Sequence, residues 1–107
     1  MNLEALAIDF GMEEDELIEL VKLFIETSLS DLNRIQSAID EGDAQKVVTA
    51  AHSIKGAAAN LGLMEIFEMA KRIEMNAREN KLDGTPGTAK AINEKLDGLA
   101  ESFPRFK

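Results

Sequence analysis

Residues 13–42 read EEDELIELVKLFIETSLSDLNRIQSAIDEG. Within them Leu17, Val21, Phe24, Ser28, Leu32, Ile35 and Ile39 recur at steps of four and three. Such steps return to one side of an α-helix, because a turn holds about 3.6 residues. Ile18, Leu20, Ile25 and Leu29 widen the stripe. The acidic run Glu13-Glu14-Asp15-Glu16 suits the positive end of a helix, and Gly42 suits its stop. The stretch predicts one long amphipathic helix over 13–41. A helix of that length needs apolar partners along its whole stripe.

The partners lie on both sides. Upstream, Leu3 to about Asp9 reads as a short helix that Gly11 breaks. Downstream, Asp43 can cap a third helix carrying Val47, Ala51, Ile54, Ala58 and Leu61, with Gly62 at its end. A fourth helix shows Leu63, Ile66, Phe67, Ala70, Ile73 and Ala77. Asp83-Gly84-Thr85-Pro86-Gly87 reads as a loop. A fifth helix carries Ala89, Ile92, Leu96, Leu99 and Phe103. Short connections between long amphipathic helices favour an antiparallel, all-α bundle. No internal repeat or linker divides the chain, so residues 1–107 are expected to form a single domain.

Composition removes several function classes. A net charge of −8 repels phosphate backbones, and Tyr and Trp are absent as base-stacking platforms, so nucleic-acid binding is not expected. With no cysteine there is no disulfide and no thiolate metal site. No apolar run approaches the roughly 20 residues that span a bilayer. The start MNLEALAIDFG lacks the basic and apolar segments of a signal peptide, so the expected compartment is the cytoplasm. Nothing demands self-association, and a monomer is expected.

The one histidine, His52, lies in AHSIKGAAANLG, residues 51–62. At about 100° per residue, His52 sits roughly 140° from the apolar direction of the third helix and faces outward. Gln45, Thr49, Gly56 and Ala59 lie near it on that face, with Val48 and Lys55 flanking. A solvent-facing histidine with an idle lysine at i+3 is the plain alternative. Gly56 argues against it. Glycine costs a helix interior about 1 kcal/mol relative to alanine, yet this one points away from the apolar stripe. Gly56 and Ala59 leave room for another protein to approach the imidazole. An imidazole serves as metal ligand, base or nucleophile. No further ligands converge on its face, so no metal is expected, and Ser53 lies on a different face, so no hydrolytic triad forms. An exposed nucleophile beside a cation suits accepting a phosphoryl group from another protein. Counting back through a hairpin that turns near Gly62 and Leu63 puts residue 73 or 74 level with His52. Glu74 can then accept from Nδ1 and leave Nε2 to attack. Equally, Glu74 can be a surface charge paired with Arg78 at i+4.

With these residues in place, the chain resembles the histidine-containing phosphotransfer (HPt) domains of phosphorelays. The likeness rests on AHSIKGAAANLG, on the preceding ELVKLFIETSLSDLNRIQSAIDEGD and on the following MEIFEMAKRIE. It implies an up-down four-helix bundle with a short extra helix at the N-terminus. It implies that His52 is phosphorylated, that Lys55 stabilises the phosphoryl group, and that Gly56 gives the partner access. Glu74 would match the Glu or Gln bonded to the histidine, and Gly62 would close the hairpin. The partner would be a response-regulator receiver domain bringing its own aspartate, Mg2+ and lysine, or a histidine kinase. The chain itself would carry no cofactor and would be a phosphoryl carrier rather than an enzyme. Gln45, Val48, Thr49 and Ala59 would form the docking surface. Two alternatives stay open. One is the substrate domain of a chemotaxis-type or hybrid kinase, since the ending Phe103-Pro104-Arg105-Phe106-Lys107 suits a free protein or a piece of a longer one. The other is a helical docking module that is never phosphorylated.

Overall fold

The computed structural model describes residues 3–102, folded as helices α1 (Leu3–Phe10), α2 (Glu14–Glu41), α3 (Ala44–Asn60), α4 (Met64–Arg78) and α5 (Thr85–Glu101). The acidic start of α2 is used as its charge predicts, with Glu14, Asp15 and Glu16 in the first turn. Glu16 Oε1 also accepts from the Glu13 N–H at 3.2 Å. Gly42 ends α2 with a left-handed φ of 70°, a conformation that costs glycine little. The next residue, Asp43, caps α3 by accepting from the Lys46 N–H at 3.1 Å.

The start of α5 departs from the sequence reading. Thr85, Pro86 and Gly87, expected in a loop, form its first turn. The proline loses nothing there, because first-turn N–H groups have no acceptor inside the helix. Phe103, expected on the apolar face of this helix, lies outside the described residues.

Helices adjacent in sequence are adjacent in space: α2 packs on α3, α3 on α4, α4 on α5, and α5 closes back on α2. The result is an up-down four-helix bundle, with α1 laid against α2. Leu17, Val21, Ile35, Val47, Ile54, Ile73, Ile92 and Leu96 are fully buried at its centre. Each contributes about 1.5–3 kcal/mol relative to exposure. The stripe on α2 is narrower than its residue types suggest, since Leu29 remains 38% exposed.

The hairpin of α3 and α4 places the site. Its turn is fixed by Gly62, at φ 69°, with the Gly62 and Leu63 N–H groups bonded to Ala59 and Ala58 carbonyls. Buried alanines on both helices, Ala51 and Ala58 on α3 and Ala70 and Ala77 on α4, keep the facing surfaces thin. The two backbones therefore approach closely enough for side chains on their rims to meet.

Candidate functional site: a histidine and a shared carboxylate

His52 stands on the outer face of α3 with 64% of its side chain exposed. The Nδ1 atom lies 2.9 Å from Glu74 Oε2 on α4. The helical count and the hairpin register thus meet at one hydrogen bond. Glu74 is not the surface charge of the alternative reading, because it is only 3% exposed. Its pairing with Arg78 is nonetheless real, at 2.8 Å from Nη2 to Oε2. Of the alternative reading, the pairing with Arg78 holds and the surface position does not.

Lys55 completes the cluster in a way the sequence did not reveal. Its Nζ lies 2.6 Å from Glu74 Oε1, and its side chain is 25% exposed. The lysine expected to face an incoming group is engaged with the carboxylate instead. The signal that could have found this is spacing: Lys55 lies three residues after His52, on the flank facing α4.

The electrostatics follow from these contacts. Burial alone would raise the Glu74 pKa, but hydrogen bonds from Lys55, Arg78 and His52 overcome it. The carboxyl is held at about 2, down from an ordinary 4.5. Glu74 is therefore an anion at neutral pH, able only to accept. The neutral imidazole must then carry its hydrogen on Nδ1 and its lone pair on Nε2. Among the described residues nothing hydrogen-bonds Nε2. The arrangement can orient a nucleophilic nitrogen toward solvent and steady positive charge that develops on the ring.

The surface around His52 matches the sequence reading at three of four flanking positions. Gln45, Thr49 and Ala59 are exposed, whereas Val48 is buried at 5% and offers no side chain to a partner. Val48 is corrected to a core residue. It lies on the side of α3 that turns toward a neighbouring helix, so packing covers a flank that one helix alone would leave open. Gly56 is exposed, and a Cβ built on it meets nothing within 4 Å. The fold does not require glycine there. On the other side of His52, an open groove between α2 and α3 is lined by Asp31, Arg34, Gln45, Thr49 and Ser53 among others. Asp31 is buried and paired with Arg34 at 2.8 Å.

Comparison with known proteins bears on the family and the fold. The Hpt domain family matches residues 19–102. The fold is similar to the crystal structure of histidine-containing phosphotransfer protein B from Pseudomonas aeruginosa PAO1. That likeness has a TM-score of 0.74 and 25% sequence identity, over 94% of this chain and 93% of the other. Among curated proteins, no sequence matches.

Proposed function

Because the chain belongs to the Hpt domain family and serves histidine phosphotransfer in a phosphorelay, we propose that His52 is the residue that carries the phosphoryl group. The observation that carries this reading is the bond of 2.9 Å between His52 Nδ1 and a buried, ionised Glu74. It turns the lone pair of Nε2 outward on an exposed face. That lone pair forms the N–P bond while the P–O bond to the donor's aspartate breaks. The aspartate carboxylate leaves with the bonding electrons. The proton on Nδ1 stays in place, and the positive charge gained by the ring is balanced by Glu74.

In this reading Lys55 offsets the charge of the arriving group, and Gly56 leaves space for the partner's backbone. Gln45, Thr49 and Ala59 supply the low surface around the ring. The partner is a receiver domain that brings its own aspartate and Mg2+, or a histidine kinase. The chain is a carrier whose catalytic groups come from that partner. It acts as a cytoplasmic monomer; no helix among the described residues is long and apolar enough to cross a membrane.

The test is transfer from a phosphorylated, Mg2+-loaded receiver domain, with wild type run beside His52→Gln. Acid-labile, base-stable phosphate is expected on wild type alone. Label on both proteins would move the acceptor elsewhere. Label that arrives only from a kinase's ATP-binding domain would favour the kinase-substrate alternative.

A further inference from the structure

Aspartate is followed by glycine twice in the chain, at Asp83-Gly84 and at Asp97-Gly98. Such a pair has a chemistry of its own, because the missing side chain of glycine leaves its backbone nitrogen open to the aspartate carboxyl. Both pairs are exposed, so access to water does not separate them. Their backbone settings differ. Asp83 and Gly84 occupy the centre of a turn between α4 and α5, closed by a bond of 3.1 Å from the Thr85 N–H to the Leu82 carbonyl. Gly84 has φ −86° and ψ −4°, the values of the third residue in a type I turn. Among the described residues, neither the Asp83 carboxylate nor the Gly84 N–H has a hydrogen-bond partner. Asp97 and Gly98 lie inside α5, where the Gly98 N–H is held by the carbonyl four residues back.

In such a pair the glycine nitrogen attacks the aspartate Cγ. A C–N bond forms, and a carboxyl oxygen leaves as water with the N–H proton and the proton of the carboxyl. A five-membered succinimide remains. Water then adds to either ring carbonyl. Opening on one side restores aspartate. Opening on the other breaks the bond from the main-chain carbonyl carbon to the nitrogen, and the chain then runs through Cγ as isoaspartate. Nothing is oxidised or reduced, and water is the sole co-reactant. Ring closure requires the Cα–C bond of the aspartate to rotate out of its turn or helical setting. At Asp83 that rotation gives up the bond from Thr85 to Leu82, beside a half-buried Leu82. At Asp97 it breaks α5 between Leu96 and Leu99, both buried in the core. Local opening costs little in a loop and approaches the cost of global unfolding inside a packed helix.

We propose that Asp83 is a site of spontaneous isomerisation to isoaspartate, and that the fold confines this chemistry to the loop between α4 and α5. The product lengthens the main chain by one carbon just before Thr85, the first residue of α5, which is only 2% exposed. A longer chain at that point pulls against a first turn anchored in the core, so the modified protein is less stable than the original. The inference does not depend on the role of His52.

The experiment holds the folded protein for weeks at neutral pH in water enriched in heavy oxygen, beside a sample unfolded in urea. Every ring opening leaves heavy oxygen on the aspartate, and peptide mapping locates it together with any isoaspartate. Both are expected at Asp83 alone in the folded protein, and at Asp83 and Asp97 alike in urea. Equal labelling of the two aspartates in the folded protein would overturn the inference. So would a folded protein that stays unlabelled at Asp83 while the unfolded one is labelled there. Gly84→Ala is the companion variant. A Cβ at Gly84 meets nothing within 4 Å, so the fold accommodates it, while the added methyl group shields the nitrogen. This variant is expected to lose most of the label at Asp83. Label at the wild-type rate would rule out attack by the Gly84 nitrogen and overturn the inference. The isoaspartyl fraction, separated by chromatography, is expected to unfold at a lower urea midpoint. An unchanged midpoint would overturn the consequence drawn for α5.

Discussion

The two faces of α3 obey opposite rules. Inward, Val47, Ala51, Ile54 and Ala58 are fully buried. Outward, His52 and Gly56 are exposed, and a Cβ added at Gly56 meets only open space. One face is filled to hold the bundle together. The other is kept thin although a fuller side chain would suit the helix better. A helix that served stability alone would not carry a glycine in mid-span on its wet side. The difference teaches that the outer face is shaped for something that arrives.

The contrast can be broken most forcefully at the core. Ile54→Ala is expected to cost about 2–5 kcal/mol, read as a lower urea midpoint, because the bundle cannot fully collapse around the gap. His52→Gln, two residues away, should leave that midpoint nearly unchanged while removing phosphoryl acceptance. Equal destabilisation by the two variants would mean that the faces are misassigned.

Glu74 belongs to neither face, being a buried anion reached from the outer one, and pH sharpens its position. Its folded pKa of about 2 lies below the ordinary 4.5. The unfolded chain therefore binds a proton at this residue before the folded chain does. The stability it contributes is complete above the ordinary value and is lost as pH falls toward about 2. Urea melts at about pH 6 and about pH 3 should show wild type losing more stability than Glu74→Gln between the two. Parallel losses would show that the three donors do not hold the carboxylate as described.

The smallest expected effect on stability has the opposite sign. Gly56→Ala should stabilise the free protein by about 0.5–1 kcal/mol, since alanine is the better helix former and finds no clash. Gly56→Leu should slow phosphoryl transfer on the order of tenfold by holding the partner away from His52. Unchanged transfer in the leucine variant would end the access argument.

Much of the site was legible before the fold. The period of α3 turned His52 outward, and the length of the hairpin put Glu74 level with it. Both follow from a rise and a rotation that every α-helix shares. The start of α5 was less legible, because Thr85-Pro86-Gly87 suits a loop as well as a first helical turn. Val48 was misjudged for a related reason. A residue near the edge of a stripe is wet or dry according to which neighbour covers that edge.

The sequence by itself determined the helices, the buried stripes and the direction of its one histidine, because each is set by residues a turn or two apart. Only the tertiary structure decided that Val48 belongs to the core and that Lys55, Arg78 and His52 share one carboxylate. A buried anion takes its partners by distance across helices, and no local period records that distance.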